Sequence, residues 1–595
     1  MRGACMNSHR RLAWEIPPQT RGRPTIAASL LGPFASRTFL IVFLVVEVFL
    51  FVPSAKLGLV ADDFVFAEVA ERPILLLWTS SADAHGHYRP LSYSIKHLLY
   101  GVLGERALGW HIVNMTIHFS TVLMLFWMLM GVAQLQSVGG AAAAALGSFL
   151  IQIHPSSLQN VYWSSGLSEL LAVFFVVATL FFMVRFLTGG SDLSFAMGSL
   201  CFLCSVLSKE SAVVFPVVLL TTGWMAADWG EGSRFDMHAG RRWRKVLWSL
   251  FAMSGLFLVA VSVIGGSRIA ADFRYHGQVD SFLLVAKGVA MVVVPEDAWT
   301  IYAALESTGV WWMAFIVTTL LCMVLFSVLR GNLSLKWVLG FAICLILVML
   351  PYEIGGYVAQ RLVYGGVLVL SLYAFFLCNR SNKGARRAWD HGFFAAFLVY
   401  MAFMVWSSLG VSRDWSTADR AAREIRSAFL ETCQTDPRDH YLFVALPNRL
   451  RQAWIVGEPS TDFAAALRSA GVRPTPAMES IARVVFADGI PDMGRIEQRM
   501  TGIDTLYLST KDPGVYLLFG DISSALDQPL GVHYRGSGFD IEVLSHGIGS
   551  RASALRVVLD SSRREDLLAL RGSIKGYQFR KPVPEPPSDT RRRHL

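Results

Sequence analysis

Residues 37–66 read RTFLIVFLVVEVFLFVPSAKLGLVADDFVF. The part over 37–55 is an apolar run of the length, roughly 17 to 25 residues, that a helix needs to cross a bilayer. No convincing small-residue cleavage site follows it, so we interpret it as a retained membrane anchor. Two adjacent carboxylates, Asp62 and Asp63, come next in an apolar context. The anchor therefore places both of them at the edge of the lipid.

The whole chain has the composition of a helical membrane protein. Of its 595 residues, 53% are hydrophobic and 16% are charged, which is far more apolar than a soluble globular chain. Runs of membrane length recur and predict an α-helical polytopic protein with about 11 transmembrane helices. These runs lie near 37–55, 109–134, 138–154, 164–187, 192–207, 210–227, 246–265, 309–329, 336–352, 362–379 and 392–411.

Basic residues set the predicted orientation. The net charge is +9, but the arginines and lysines crowd the N-terminus, the loop near 228–245 and the loop near 380–390. The positive-inside rule makes that side cytoplasmic, so these residues are topology signals and argue against a nucleic-acid partner. The chain is thus predicted to be a multi-pass protein of a bacterial inner membrane, with its active face outside the cytoplasm. Seven cysteines, mostly inside apolar runs, predict no disulfide framework.

Four regions follow from this pattern. Residues 1–36 are a basic cytoplasmic N-terminus, and 37–411 form the transmembrane domain. The small extracytoplasmic region 412–580 is predicted to be α/β, because a helical apolar face is followed by short β-like runs at 441–446 and 505–508. It holds no clustered acid–base set, so we expect it not to be catalytic. The stretch 581–595 is rich in Pro and Arg and is predicted to be disordered. The helical face consists of Trp415, Ala418, Ala422, Ile425 and Phe429.

The pair Asp62 and Asp63 is the first chemical candidate. Neighbouring carboxylates repel each other and lose solvent at the lipid boundary, so one of them holds a proton more readily and suits a general base. The alternative is a solvated loop start, or a helix N-cap with an acidic first turn. The sequence does not distinguish which of the two residues would be the base.

The outer loop 57–108 and the span after it carry further polar groups. Apolar residues between 91 and 102 recur at helical spacing, which predicts an interfacial helix. His111, Asn114 and His118 fall at i, i+3 and i+7, on one face of the second span. Such a row either contributes to a site or forms hydrogen bonds between helices.

Three outer turns bring charged residues to the same face as the aspartates. They read HPSSLQNVYWSSGLSEL over 154–170, SKES over 208–211 and PYEIGGYVAQRLVY over 351–364. Lipid-facing charge is costly at such turns, so acids and bases are expected to converge on one cavity. Lys209 could instead pair with Glu210, and Arg361 with Glu353.

No cofactor is predicted from these residues. Asp62, Asp63 and His154 could in principle collect a divalent cation, but their spacing is not diagnostic of a metal site. Metal dependence therefore stays open at this point.

Taken in order, these motifs resemble the GT-C superfamily of multi-span glycosyltransferases. The closest likeness is to the protein O-mannosyltransferase-like branch, which includes the transmembrane-and-tetratricopeptide O-mannosyltransferases. The resemblance covers about residues 37–411 and is strongest in 60–215. The tail lacks the tetratricopeptide period, and the region of Arg361 matches loosely. The motifs are the acidic pair, YRPL at 88–91, H-x-x-N-x-x-x-H at 111–118, the HP turn before W-S-S-G-x-S-E, and S-K-E-S.

This resemblance implies an activity. A sugar would pass from a polyprenyl-phosphate carrier to the hydroxyl of a glycan, lipid or protein acceptor, by an inverting displacement at the outer face. An aspartate of the pair would take the acceptor proton, and a cation would stabilise the leaving phosphate. The sugar and the acceptor remain open. The predicted substrate-binding residues are Arg89, His111, His154, Glu169, Lys209, Glu210, Glu353 and Arg361.

Two other classes of function compete with this one. A transporter or flippase of lipid-linked substrates would also use intramembrane charge, with spans broken by Gly or Pro and polar groups near mid-membrane. An assembly protein could keep the fold and lack the chemistry. The gathering of charge at the outer turns favours the transferase over the transporter, and the assembly protein stays a third alternative.

Overall fold

The computed structural model describes residues 26–80, 88–132, 138–188, 190–226, 241–275, 281–294, 335–354, 360–381 and 387–450, and shorter stretches from there to residue 580. Helices dominate up to residue 435. The predicted cytoplasmic residues 1–25 and the predicted disordered tail 581–595 lie outside the described part. The helices are α1 (Ile26–Phe51), α2 (Val65–Glu71), α3 (Ile74–Thr79), α4 (Pro90–Leu103), α5 (Ala107–Val132), α6 (Val138–Ile153), α7 (Pro155–Tyr162), α8 (Leu167–Leu187), α9 (Asp192–Ser208), α10 (Phe215–Ala226), α11 (Arg241–Tyr275), α12 (Ser281–Val293), α13 (Leu335–Ile354), α14 (Tyr364–Ser381) and α15 (Arg387–Thr435).

Five of the described segments are long and apolar enough to cross a membrane, and four shorter apolar helices accompany them. Large apolar side chains on their outer faces stay exposed, such as Trp248, Val263 and Val399. An all-round apolar helix of this kind fits contact with lipid. The predicted run 309–329 lies outside the described residues, so the count of eleven spans stays a prediction. The five segments are 37–56, 107–132, 164–187, 241–264 and 361–378.

Successive helices run back and forth between two ends of the bundle. At one end, Lys245 of α11 bonds Asp192 at the start of α9, and Arg242 donates to the Phe186 carbonyl near the end of α8. At the other end lie Lys209, just past α9, and the turn that follows α7. The polar outer turns are therefore gathered at the end opposite to this basic cluster.

The helix predicted over 91–102 is present as α4. Several of its polar residues are buried, which the spacing of its apolar residues did not indicate. Leu98 and Val102 are among its most exposed residues, whereas Ser92, Tyr93 and Lys96 are buried. Buried polar residues therefore face the protein together with Ile95 and Leu99, which pack against a buried apolar cluster, whereas Leu98 and Val102 face outward. This orientation suits a helix whose outer surface lies in lipid.

Beyond α15 the described residues are mainly β-strands in two sheets. One sheet has the order β11-β10-β1-β3-β6, with β2 beside β1, and the other has the order β4-β5-β9-β8-β7. The predicted β-like runs fall in β1 and β5. The strands are β1 (His440–Leu450), β2 (Ala453–Trp454), β3 (Ala477–Phe486), β4 (Glu497–Thr501), β5 (Thr505–Ser509), β6 (Val515–Leu518), β7 (His533–Gly536), β8 (Phe539–His546), β9 (Ala552–Leu559), β10 (Leu567–Ser573) and β11 (Gly576–Arg580).

Helix α15 is continuous across residue 412, where the sequence suggested a boundary. Its predicted apolar face is buried along its full length, from Trp415 to Phe429. Phe429 packs against Tyr441, Phe443 and Phe463, with ring centroids 5.2, 5.3 and 4.6 Å away. One helix thus joins the bundle to the first sheet.

Close packing of α6 on α14 generates a first prediction. A Cβ on Gly147 would lie 2.9 Å from the Ser371 backbone oxygen, whereas one on Gly131 would meet nothing within 4 Å. We expect Gly147→Ala to destabilise the protein by about 1–3 kcal/mol through overpacking, and Gly131→Ala not to destabilise it. Thermal unfolding in detergent measures both. Equal unfolding temperatures for the two variants would contradict this account of the α6–α14 contact.

Candidate active site

The connection between α7 and α8, residues 160–169, is the centre of the polar end of the bundle. Nearly all of it is buried, so its backbone must find partners inside the protein. The Asn114 amide donates to the carbonyls of Asn160, Trp163 and Ser164 at 3.1–3.3 Å. One side chain of α5 therefore fixes the shape of the turn.

The turn is also tight enough to require glycine. A Cβ on Gly166 would lie 2.3 Å from the Asn160 backbone oxygen. His154 begins α7 as its N-cap, because its Nδ1 accepts from the Ser156 N–H at 3.0 Å, and its Nε2 donates to the Val292 carbonyl at 3.2 Å. Both ring nitrogens of His154 are thus engaged inside the protein, where they support the turn.

Asp63 lies against this turn and is 1% exposed. One carboxylate oxygen, Oδ1, accepts from the Ser165 backbone N–H at 2.6 Å, and Oδ2 accepts from the Val60 N–H at 3.0 Å. Backbone donors therefore stabilise its charged form and fix its orientation. The alternative of a solvated loop carboxylate does not describe Asp63.

The loop that carries Asp63 has an unusual backbone. Ala61 adopts φ of 49°, in the left-handed region that a residue with a Cβ seldom occupies. The Asp63 N–H then donates to the Val60 carbonyl at 3.0 Å and closes a short helical turn over Ala61–Phe64. The side chain of Asp62 lies outside the described part of the structure, so its candidacy as the base stays a prediction.

Lys209 forms an ion pair with Glu169. Both partners are buried, and the pair links the end of α9 to the start of α8. Burial lowers the pKa of Lys209, and the charge of Glu169 opposes that shift. The charge of Glu210, the alternative partner considered from the sequence, also acts on Lys209.

Glu210 bonds Arg89. The guanidinium makes a forked contact, with Nε to Oε2 at 2.7 Å and Nη2 to Oε1 at 2.5 Å. Arg89 is partly exposed and stands at the start of α4. The charges of Arg89 and Glu210 also act on Lys209, which brings both ion pairs into one electrostatic cluster.

Arg361 approaches the turn from the α14 side. Its guanidinium carbon lies 4.3 Å from the centre of the Trp163 ring, and its carbonyl accepts from the Asn160 amide at 2.7 Å. Asp63 and Arg361 thus contact the same short turn. The side chain of Glu353 lies outside the described part, so the alternative Arg361–Glu353 pair stays a prediction.

The polar row of α5 serves mainly to connect helices. His111 Nδ1 donates to the Val161 carbonyl at 3.3 Å, and His118 Nδ1 lies 2.8 Å from the Tyr364 hydroxyl oxygen. With Asn114, these contacts fit the predicted alternative of interhelical hydrogen bonding. His111 and Asn114 nevertheless border the turn that contacts Asp63.

Sequence reasoning missed two residues that contact the Asp63 loop. Asp419 of α15 accepts from the Gly58 N–H at 2.9 Å, and Arg426 donates to the Leu59 carbonyl at 2.9 Å. A signal was present, since Asp419 falls on the apolar face beside Ala418 and Ala422. A charged residue on a buried helix face needs a partner elsewhere in the fold.

No group of three or more His, Cys, Asp or Glu side chains suited to a metal ion occurs among the residues that the structure describes. His154 was considered from the sequence, with Asp62 and Asp63, as a ligand of a divalent cation. Both of its ring nitrogens are bonded to backbone groups.

The chain matches no known family profile and no curated protein. Among solved structures, ArnT from Cupriavidus metallidurans bound to undecaprenyl phosphate is similar over 76% of this chain and 93% of its own, at 14% identity and a TM-score of 0.36. The archaeal oligosaccharyltransferase AglB from Archaeoglobus fulgidus, in complex with an inhibitory peptide and a dolichol-phosphate, is similar over 75% and 69%, at 11% identity and a TM-score of 0.37. Likenesses this distant assign neither a fold nor an activity to the chain.

The buried pair Lys209–Glu169 yields a stability prediction. Lys209→Met or Glu169→Met alone should destabilise the protein by about 3–5 kcal/mol, because each strands a buried charge. The double variant should recover most of that loss. As a control, Lys245→Met breaks an exposed pair with Asp192 and should cost at most about 1 kcal/mol. Thermal unfolding of all four variants measures these changes in the free energy of unfolding. If the loss of stability in the double variant equals the sum of the two single losses, Lys209 and Glu169 are not a coupled pair.

Proposed function

We propose that this protein is a membrane glycosyltransferase that moves a sugar from a polyprenyl-phosphate donor to an acceptor hydroxyl at the outer membrane face. The supporting observation is the meeting of one oriented, buried carboxylate with Arg361 at a single turn, beside the Arg89 and Lys209 ion pairs. A hydroxyl nucleophile needs a base, and a phosphate leaving group needs cations. The cluster offers both.

Asp63 is assigned as the general base. Backbone N–H groups of Val60 and Ser165 bind its carboxylate oxygens and orient them. A carboxylate held in this way keeps its direction while it accepts the proton of the attacking hydroxyl. The oxygen of the acceptor then forms a bond to the anomeric carbon as the bond to the phosphate oxygen breaks, with inversion at that carbon.

Arg89 and Arg361 are the cations proposed for the donor phosphate. A guanidinium binds phosphate through two parallel N–H groups, which a lysine ammonium does not reproduce. Arg89 already holds a carboxylate in such a fork, which is the geometry that a phosphate would take over. Lys209 is buried against Glu169, so we assign it a supporting role, in which its charge contributes to the electrostatic potential of the site without contacting the donor.

An apolar groove provides a place for the lipid part of the donor. It has a volume of about 360 Å³ between α9 and α11, and Leu203, Leu207 and Phe257 are among its lining residues. Tyr88 lines the same groove and directly precedes Arg89 in the chain. An isoprenoid chain in this groove would bring its phosphate to the cation cluster.

Transport of a lipid-linked substrate is the second candidate, and one observation favours it. Glu47, in the first span, is buried and accepts from the Gln152 amide at 3.0 Å, with His118 at 3.9 Å. Carboxylates inside a span often mark a translocation path. Glu47 lies about one helical turn from the end of α1 near the site, so we rank transport below transfer. Purified protein with labelled polyprenyl-phosphate sugars separates the two, since a transporter moves the donor across vesicles without cleaving it.

The base assignment predicts that Asp63→Asn lowers turnover by about 10² to 10⁴. The amide cannot accept the proton, and its NH₂ would face a backbone N–H. Asp192→Asn is the matched control. It makes the same change at the start of α9, at the end of the bundle opposite to Asp63, and should leave turnover unchanged. Single-turnover transfer in membranes measures both variants. Near-normal turnover of Asp63→Asn would exclude Asp63, and the same test on Asp62→Asn would then identify or exclude its neighbour.

The phosphate role of Arg89 predicts an asymmetry within its ion pair. Arg89→Lys should weaken donor binding by about tenfold or more, since the forked contact is lost while the charge stays. Glu210→Gln keeps the guanidinium and should not weaken donor binding. Donor dissociation constants in detergent provide the comparison. Equal weakening by both substitutions would mean that Arg89 serves only as the partner of Glu210.

A further inference from the structure

Helix α15 reaches the loop that carries Asp63 through two charged side chains. Asp419 is 2% exposed and accepts from the Gly58 N–H at 2.9 Å. Arg426, two turns further along the helix, donates from Nη1 to the Leu59 carbonyl at 2.9 Å. Acceptor and donor thus bind successive residues of the loop, and together they fix its position along the helix.

Each of the two side chains is itself held in place. Arg423 pairs with Asp419 at 2.6 Å, one helical turn away. Arg426 also donates from Nε to the Ala422 carbonyl at 3.2 Å, and its guanidinium carbon lies 5.5 Å from the centre of the Phe64 ring. Burial raises the pKa of Asp419, while the Gly58 N–H and the charges of Arg423 and Arg426 oppose that shift.

The backbone between these contacts and Asp63 is closely packed and conformationally restricted. A Cβ on Gly58 would lie 3.2 Å from Asp419 Oδ1, so helix and loop backbone are already close. Ala61 is in the left-handed region, which is unfavourable for a residue with a Cβ. Such a backbone persists when its surroundings enforce it. Asp419 and Arg426 hold one side of it, and the bond from the Ser165 N–H to Asp63 holds the other.

We infer that Asp419 and Arg426 are positioning residues for Asp63. They act through the backbone of Gly58 and Leu59, the residues that precede the base in the loop. The inference rests on the proposed function, because it assigns the loop its catalytic purpose. It adds that the region after residue 412, which we expect not to be catalytic, supplies the support on which the base depends.

The same helix transmits this support to the strand-rich region. Phe429, one turn beyond Arg426, packs against the aromatic side chains of Tyr441, Phe443 and Phe463. Anything that shifts the first sheet therefore shifts the helix that holds the loop. Removal of the chain after residue 412 would remove both Asp419 and Arg426, so such a truncation should lose turnover even when it inserts correctly.

Asp419→Ala and Arg426→Ala in the full-length protein test the inference, with Arg420→Ala as the matched control. Arg420 is exposed on the same helix, one residue from Asp419. Hydrogen exchange of the peptide covering residues 57–64 reports on the loop whether or not the protein transfers sugar. Exchange should speed up by tenfold or more in both test variants and stay unchanged in the control.

Kinetics supply the second readout. In the two test variants kcat should fall by tenfold or more, with donor affinity within about threefold of wild type, because the base moves while the phosphate-binding cations stay. Asp419→Asn, which keeps an acceptor for the Gly58 N–H, should restore part of kcat. A global loss of fold would instead lower donor affinity together with kcat and would shift the unfolding temperature, and that outcome overturns the positioning role.

The remaining outcomes separate this inference from the proposed function. If hydrogen exchange at residues 57–64 is unchanged in Asp419→Ala, then Asp419 does not hold the loop, and the inference is overturned whatever the activity of the variant. Faster exchange with wild-type kcat overturns the positioning role and leaves the proposed transfer standing. If the wild-type protein cleaves no polyprenyl-phosphate sugar, the proposed function is overturned, and with it the role of Asp419 and Arg426 in positioning a base. Hydrogen exchange still decides whether these two residues hold the loop.

Discussion

A buried polar turn at the end of an apolar helix bundle is the constraint on which this structure depends. Residues 160–169 have little access to water, so their backbone groups and neighbouring charges must be satisfied by the protein itself. Asn114 satisfies three carbonyls of the turn, Asp63 accepts from Ser165, and Gly166 permits the close approach of its backbone to Asn160. Helices α5, α7 and α8 and the outer loop are thereby fixed relative to one another.

The charges at this end are arranged so that each finds a compensating group. Glu169 neutralises Lys209, Glu210 neutralises Arg89, and backbone N–H groups stabilise Asp63. In a site of low dielectric, an uncompensated charge would cost several kcal/mol. The partly exposed Arg89–Glu210 pair differs from the enclosed Lys209–Glu169 pair in one respect: solvent and ligands can reach it. That difference supports the proposal that Arg89 binds the donor phosphate and that Lys209 has a supporting role.

Helix α15 relates the two halves of the chain. It starts among the apolar helices, passes the Asp63 loop at Asp419 and Arg426, and ends against the aromatic side chains of the first sheet. The region after residue 412 therefore contacts the loop that carries the proposed base. The physical link is a rigid helix whose buried face and charged contacts leave it little freedom to move independently of the loop.

The sequence by itself determined the helices and the end of the bundle at which polar residues gather, because hydrophobic run length and the siting of Arg and Lys are local properties of the chain. Periodicity likewise identified α4, the apolar face of α15 and the strands β1 and β5. Only the tertiary structure decided which charges pair. Lys209 bonds Glu169, forty positions away, and Glu210 bonds Arg89, because the fold brings α8 and the start of α4 to the turn between α9 and α10. The burial of Ser92 and Lys96 on α4 and the bond from Gly58 to Asp419, 361 positions apart, also depend on three-dimensional packing, which residue spacing does not encode.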